Sequence, residues 1–180
     1  MKTIIIPSNE LYNEKENLFI EIPETKIAIE HSLVSISKWE SKWHKAYLSE
    51  NEKTDEEIIS YIKCMVITQN VKDYIFDCLP PVVINEINSY INDPMTATVI
   101  RDVNGRRVIN ETITSELIYY WMFKLGIPKE CEKWHINRLL TLIKIYGVKD
   151  QPPKKMNRNE ILRQNKALNA QRRARMKSRG

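Results

Sequence analysis

The sequence predicts an α+β fold: a mostly helical single domain with an N-terminal β meander, one central β hairpin and a basic C-terminal helical extension. Three observations predict it. Isoleucine-rich segments crowd into the first thirty residues, apolar positions recur at three- and four-residue spacing through most of the rest, and Asn104-Gly105 sits between two β-prone segments. With 180 residues, 42% of them hydrophobic and 4 glycines, the chain can bury one ordinary core and is too glycine-poor for a loop-rich architecture.

Thr3–Ile6, Leu18–Ile22 and Lys26–Glu30 read as strands, punctuated by Pro7-Ser8-Asn9 and Pro23-Glu24. Ile27 and Ile29 alternate with polar residues as a half-buried strand requires, and a small antiparallel meander fits. Helices take over after His31. Ser32 and Ser35 are candidate caps for a segment reaching about Tyr47, with Ile36, Trp39, Trp43 and Tyr47 on one aromatic-rich face. Thr54-Asp55-Glu56-Glu57 is a capping box, because Glu57 stands where it can return a hydrogen bond to the Thr54 amide. The helix it starts carries Ile58, Tyr61, Ile62, Met65 and Val66 on one side. Pro80-Pro81 opens another through Ile84, Ile87 and Ile91, and Asp93-Pro94 closes it.

Thr98–Val103 and Arg106–Asn110 flank Asn104-Gly105, a pair that accepts the positive φ values of a type I′ turn, so a hairpin is predicted there. Thr114 caps Ser115–Leu125, with Gly126 as its stop. Pro128 falls in the first turn of a longer predicted helix through Trp134, Leu139, Leu142 and Ile143 to Tyr146, stopped by Gly147. A compact domain over residues 1–150 followed by an arm over 151–180 is the expected organisation.

The arm is set apart by charge. From Lys154 to Gly180 the basic residues are Lys154, Lys155, Arg158, Arg163, Lys166, Arg172, Arg173, Arg175, Lys177 and Arg179, against the single acid Glu160, a net +9. The whole chain carries +5, so residues 1–153 sum to −4. Gln151-Pro152-Pro153 joins the two parts. Such an extension points to a polyanion or an acidic protein surface, and these ten side chains are the candidate partner-binding site. Asn157 with Glu160 three residues on is a cap pair for a helix, whose apolar positions Ile161, Leu162, Leu168 and Met176 form no continuous seam. The arm is expected to be partly helical and mobile until bound.

Catalytic patterns do not assemble. Cys131 and His135 lie four apart on one predicted helix, yet a structural zinc needs four ligands at short spacings, and no Cys-x-x-Cys or His-x₃-His pair occurs. Cys131 reads better as a small core residue. His44 and His135 follow the repeated Lys-Trp pairs Lys42-Trp43 and Lys133-Trp134, and read as residues that border tryptophans. No Gly-x-Ser-x-Gly elbow surrounds a serine, and Gly105, Gly126, Gly147 and Gly180 are each accounted for by a turn, a helix stop or the terminus, which leaves none for a phosphate loop. No enzyme, metal or cofactor is expected. Trp39, Trp43, Trp121 and Trp134 fall on apolar helix faces, which favours core packing over a base-stacking platform. Three cysteines, an odd number without paired spacing, suit a reduced intracellular protein. The isoleucine run after Met1 is too short for a secretion signal, and no membrane span is expected.

Six stretches together resemble a protein family of tailed bacteriophages: His31–His44, Met65–Val71, Asp93–Thr98, Ile113–Met122, Lys133–Leu140 and Pro152–Met156. The likeness runs from about residue 25 to the end and is to small proteins of siphophage tail modules, of the tail assembly chaperone type. It implies a non-enzymatic protein of the host cytoplasm that keeps the tape-measure protein soluble while tail-tube subunits polymerise around it. The implied partners are the tape-measure protein or other phage tail proteins, and the family pattern has no catalytic residues to carry over. The alternative is a structural virion protein of the tail or head–tail connector, whose basic arm contacts DNA or an acidic protein surface.

Overall fold

A computed structural model describes residues 1–13, 18–49, 52–98, 112–149 and 158–176. The architecture is α+β and mostly helical, and the chain divides into two compact units, Met1–Tyr146 and Gly147–Gly180.

The first unit begins with β1 (Lys2–Ile6), β2 (Asn9–Asn13), β3 (Leu18–Ile22) and β4 (Thr25–Ile29). The three expected strands are present and β2 is additional. Its sequence, Asn-Glu-Leu-Tyr-Asn, is weak in β-propensity and is made a strand by pairing. β1 pairs antiparallel with β4 and β2 with β3. The two ladders share one register: between Ile6↔Thr25 and Asn9↔Ile22 each side spends two residues, Pro7-Ser8 and Pro23-Glu24. They form one long hairpin interrupted where proline has no N–H to donate. Ile4, Ile6, Ile27 and Ile29 are buried in the first ladder. The outer edge of β4 is covered, since the Glu30 amide donates to the Met65 carbonyl at 3.0 Å and the Ile67 amide to the Ala28 carbonyl at 2.8 Å.

The helices of this unit are α1 (Leu33–Trp43), α2 (Asp55–Met65), α3 (Tyr74–Asp77), α4 (Pro81–Ile91), α5 (Ser115–Lys124) and, up to Tyr146, α6 (Ile136–Lys149). Local start signals work as expected. Ser32 Oγ accepts from the Ser35 amide at 3.3 Å, and Thr114 Oγ1 from that of Leu117 at 3.4 Å. Both arms of the capping box form, with the Glu57 amide 3.3 Å from Thr54 Oγ1 and the Thr54 amide 3.0 Å from Glu57 Oε2. Pro81 occupies the first turn of α4. Gly126 closes α5 at φ 65°, a left-handed value that favours glycine.

Three expectations at helix ends are corrected. α1 stops at His44, left-handed at φ 54°, so Tyr47 lies beyond the helix; its ring instead stacks on Tyr61 with centroids 3.7 Å apart. The long helix predicted from Pro128 is two elements, a 3₁₀ helix at Lys129–Lys133 and then α6. The break has a tertiary cause: His135 forms an antiparallel bridge with Ser32, and the Ile136 amide donates to the His31 carbonyl at 2.7 Å. Trp134 is accordingly extended, at ψ 159°. Nor does Gly147 stop α6, which runs to Lys149, because a glycine ends a helix by turning left-handed and this one stays helical. α3 is one further turn that the sequence did not signal. The predicted hairpin about Asn104-Gly105 lies outside the described residues.

One core gathers the strands and helices of the first unit. Trp39, 1% exposed, is its largest side chain, and its indole N–H donates to the Glu57 carbonyl at 2.9 Å. Trp43, Trp121 and Trp134 are partly buried against it. The second unit carries α7 (Arg158–Met176).

Candidate partner-binding site

α7 is 19 residues long, about 28 Å of helix, and every one of its described side chains is exposed. Of the ten predicted site residues it carries Arg158, Arg163, Lys166, Arg172, Arg173 and Arg175; Lys154, Lys155, Lys177 and Arg179 lie outside the described residues, as does the proposed cap Asn157. At 100° per residue, Arg158, Ile161, Asn165, Leu168, Arg172, Arg175 and Met176 fall within about 100° of arc, a stripe that mixes arginine and aliphatic side chains. Arg163, Lys166 and Arg173 lie outside it. The helix is thus cationic around much of its circumference, with one face that also offers apolar surface.

A second exposed surface was not foreseen, because it depends on recognising β2. Strand alternation puts Glu10 and Tyr12 of β2 on one face with Phe19 and Glu21 of β3. All four are exposed, Phe19 by 69%. Glu10 stands directly opposite Glu21, and Tyr12 opposite Phe19 with ring centroids 5.0 Å apart. Like charges opposed across a ladder destabilise it, so this carboxylate pair opposes the pairing that holds the arm together.

The residues weighed for chemistry do not converge on a reaction centre. Cys131 is buried in the 3₁₀ helix and His135 lies past its end, not on one helical face as the sequence suggested. Among the described residues, no three His, Cys, Asp or Glu side chains gather where they could hold a metal ion. His31 and His135 meet edge to face, centroids 5.0 Å apart, in a buried polar cluster. His31 Nδ1 hydrogen-bonds the Tyr61 hydroxyl. His135 Nε2 donates to the Tyr90 carbonyl at 3.0 Å, while its Nδ1 accepts from the Asn137 amide at 3.3 Å, an arrangement that fits a neutral imidazole. The Tyr90 hydroxyl donates to Glu30 Oε1 at 2.6 Å. Burial and then the nearby His135 bring the His31 pKa down to about 3, and burial lowers that of His135. Burial likewise raises the phenols of Tyr61 and Tyr47. The cluster clamps β4, α1, α2, α4 and the start of α6 together.

Glu40 is a further buried anchor that sequence reasoning missed. Its two carboxylate oxygens accept from the Tyr47 amide at 2.8 Å and the Ser115 amide at 2.7 Å. One side chain thereby fixes the loop after α1 and the negative-seeking first turn of α5. A cleft of about 270 Å³ opens between α2 and α4, lined by Tyr47, Lys53, Ile58, Tyr61, Asn88 and Asn92. Its wall presents amides, phenols and one ammonium, but no carboxylate, thiol or imidazole.

Among the described residues no helix is long and apolar enough to cross a membrane. Neither protein-family models, nor curated proteins, nor solved structures yield a match to this chain.

Proposed function

We propose that the chain is a non-enzymatic phage tail assembly chaperone whose cationic helix holds the tape-measure protein during tail assembly. The observation that carries this reading is α7: six basic residues and four exposed apolar ones on a helix with no described side chain buried. A helix of that kind gains little from its own chain, and its apolar stripe has a use only against another surface. A tape-measure protein is a long amphipathic helical chain, and helix-against-helix contact through aliphatic positions, with arginines reaching flanking carboxylates, is a standard way to cover one. The phage resemblance, from about residue 25 to the end, supplies the biological setting.

A second reading, a virion protein whose arm contacts DNA, is favoured by the basic residues of α7 that lie outside the stripe. Purified particles separate the two. A chaperone is absent from finished virions, whereas a structural protein is present in many copies. Co-expression with the tape-measure protein should yield a complex that full-length chain retains and a chain ending at Lys149 does not. Retention by the shortened chain contradicts the assignment of the arm.

A further inference from the structure

We propose that the acidic, aromatic face of the β2–β3 arm is a docking surface for the α7 helix of a second copy of this chain. Three features point to that occupant. Glu10 and Glu21 are opposed like charges whose repulsion a cation set between them would relieve. Tyr12 and Phe19 lie beside them on the same face, giving ring surface for a guanidinium plane or an aliphatic side chain. The α7 stripe supplies both chemistries within about two turns of helix: Leu168 for the rings, Arg172 and Arg175 for the carboxylates.

Charge also selects against the obvious competitor. Among the described residues the outer edges of β2 and β3 have no strand partner, which invites pairing with the same arm of another copy. Residues 9–22, however, hold four glutamates and one lysine, a net −3, so arm-to-arm pairing brings like charges together. The +9 extension has the opposite sign. Each copy offers one arm and one helix, so a two-fold dimer makes the contact twice, and the second contact forms at high effective concentration.

The test is a reciprocal charge swap read by light scattering on the purified full-length chain. Wild type at about 100 µM and low salt should show twice the 21.3 kDa chain mass and dissociate as salt rises. The E10K/E21K and R172E/R175E variants, all changed at exposed positions, should each be monomeric alone, because each then opposes like charges. Mixed together they should form a heterodimer, because lysine face meets glutamate helix and native face meets native helix. A second pair of variants, F19S and L168S, should weaken wild-type association at least about tenfold without changing its salt dependence. Monomeric wild type under these conditions, swapped variants that self-associate as wild type does, or a mixture that stays monomeric would each overturn the proposal. The stripe is the one assigned above to the tape-measure protein, so the two contacts compete. Self-association is measured on the chain alone, and its failure leaves the client reading standing.

Discussion

His31 makes a quantitative prediction about acid. It is 2% exposed, and burial together with His135 holds its pKa at about 3 against the ordinary 6.5. In the unfolded chain the same imidazole takes a proton near 6.5. Between those two values the unfolded state binds a proton that the folded state refuses. Stability is therefore intact above pH 6.5 and falls as pH falls through this window. From pH 7 to pH 5 the loss from His31 alone comes to about 2 kcal/mol, and the lowered His135 adds in the same direction. Glu57, whose carboxyl is held low chiefly by Lys45, loses its contribution only as pH drops below the ordinary carboxylate range, outside the chosen interval. Urea unfolding followed by tryptophan fluorescence at pH 7, 6 and 5 measures the slope directly. H31Q should be less stable at pH 7, since it loses the contact with Tyr61, but its stability should change with pH by about 2 kcal/mol less than wild type over this interval. A wild-type stability that is flat from pH 7 to 5, or an H31Q slope equal to that of wild type, refutes the reasoning.

Other perturbations follow from the same contacts. E40A strands the buried Ser115 amide and the half-buried Tyr47 amide and should cost about 3 kcal/mol in urea unfolding, with Glu40→Gln recovering part of it. T54A removes one arm of the capping box and should cost about 1 kcal/mol, while T54S should be nearly silent. Ending the chain at Lys149 should move the thermal midpoint by no more than about 2 °C, because no described side chain of α7 is buried. Replacing Arg172, Arg173 and Arg175 with Gln should weaken capture of the tape-measure protein at low salt, with the defect shrinking as salt rises.

What the sequence disclosed follows the range of the interactions involved. Ser32, Thr54 and Thr114 were legible as caps because each bonds an amide three residues on. Gly126 was legible because a left-handed residue after an apolar helix is a local event. The break at Trp134-His135 was not, since it is made by pairing with Ser32 and the His31 carbonyl, about a hundred residues away. Glu40 was equally hidden: one of its partners is 75 residues distant, and a glutamate in a helix ordinarily reads as solvated. β2 escaped notice because Asn9, Glu10 and Asn13 are poor strand formers held by their partners on β3. The acidic face was lost with it. The cationic arm, by contrast, was plain from composition, and α7 places six of its basic residues on one helix.

The central claim is that α7 is the contact arm of a tape-measure chaperone. The most direct measurement is co-purification of tagged full-length chain and tagged chain ending at Lys149, each co-expressed with the tape-measure protein, with circular dichroism confirming that both are folded. The account predicts that the full-length chain brings the tape-measure protein down in soluble form and that the shortened, folded chain does not. Equal capture by the two, or no capture by either, would contradict it.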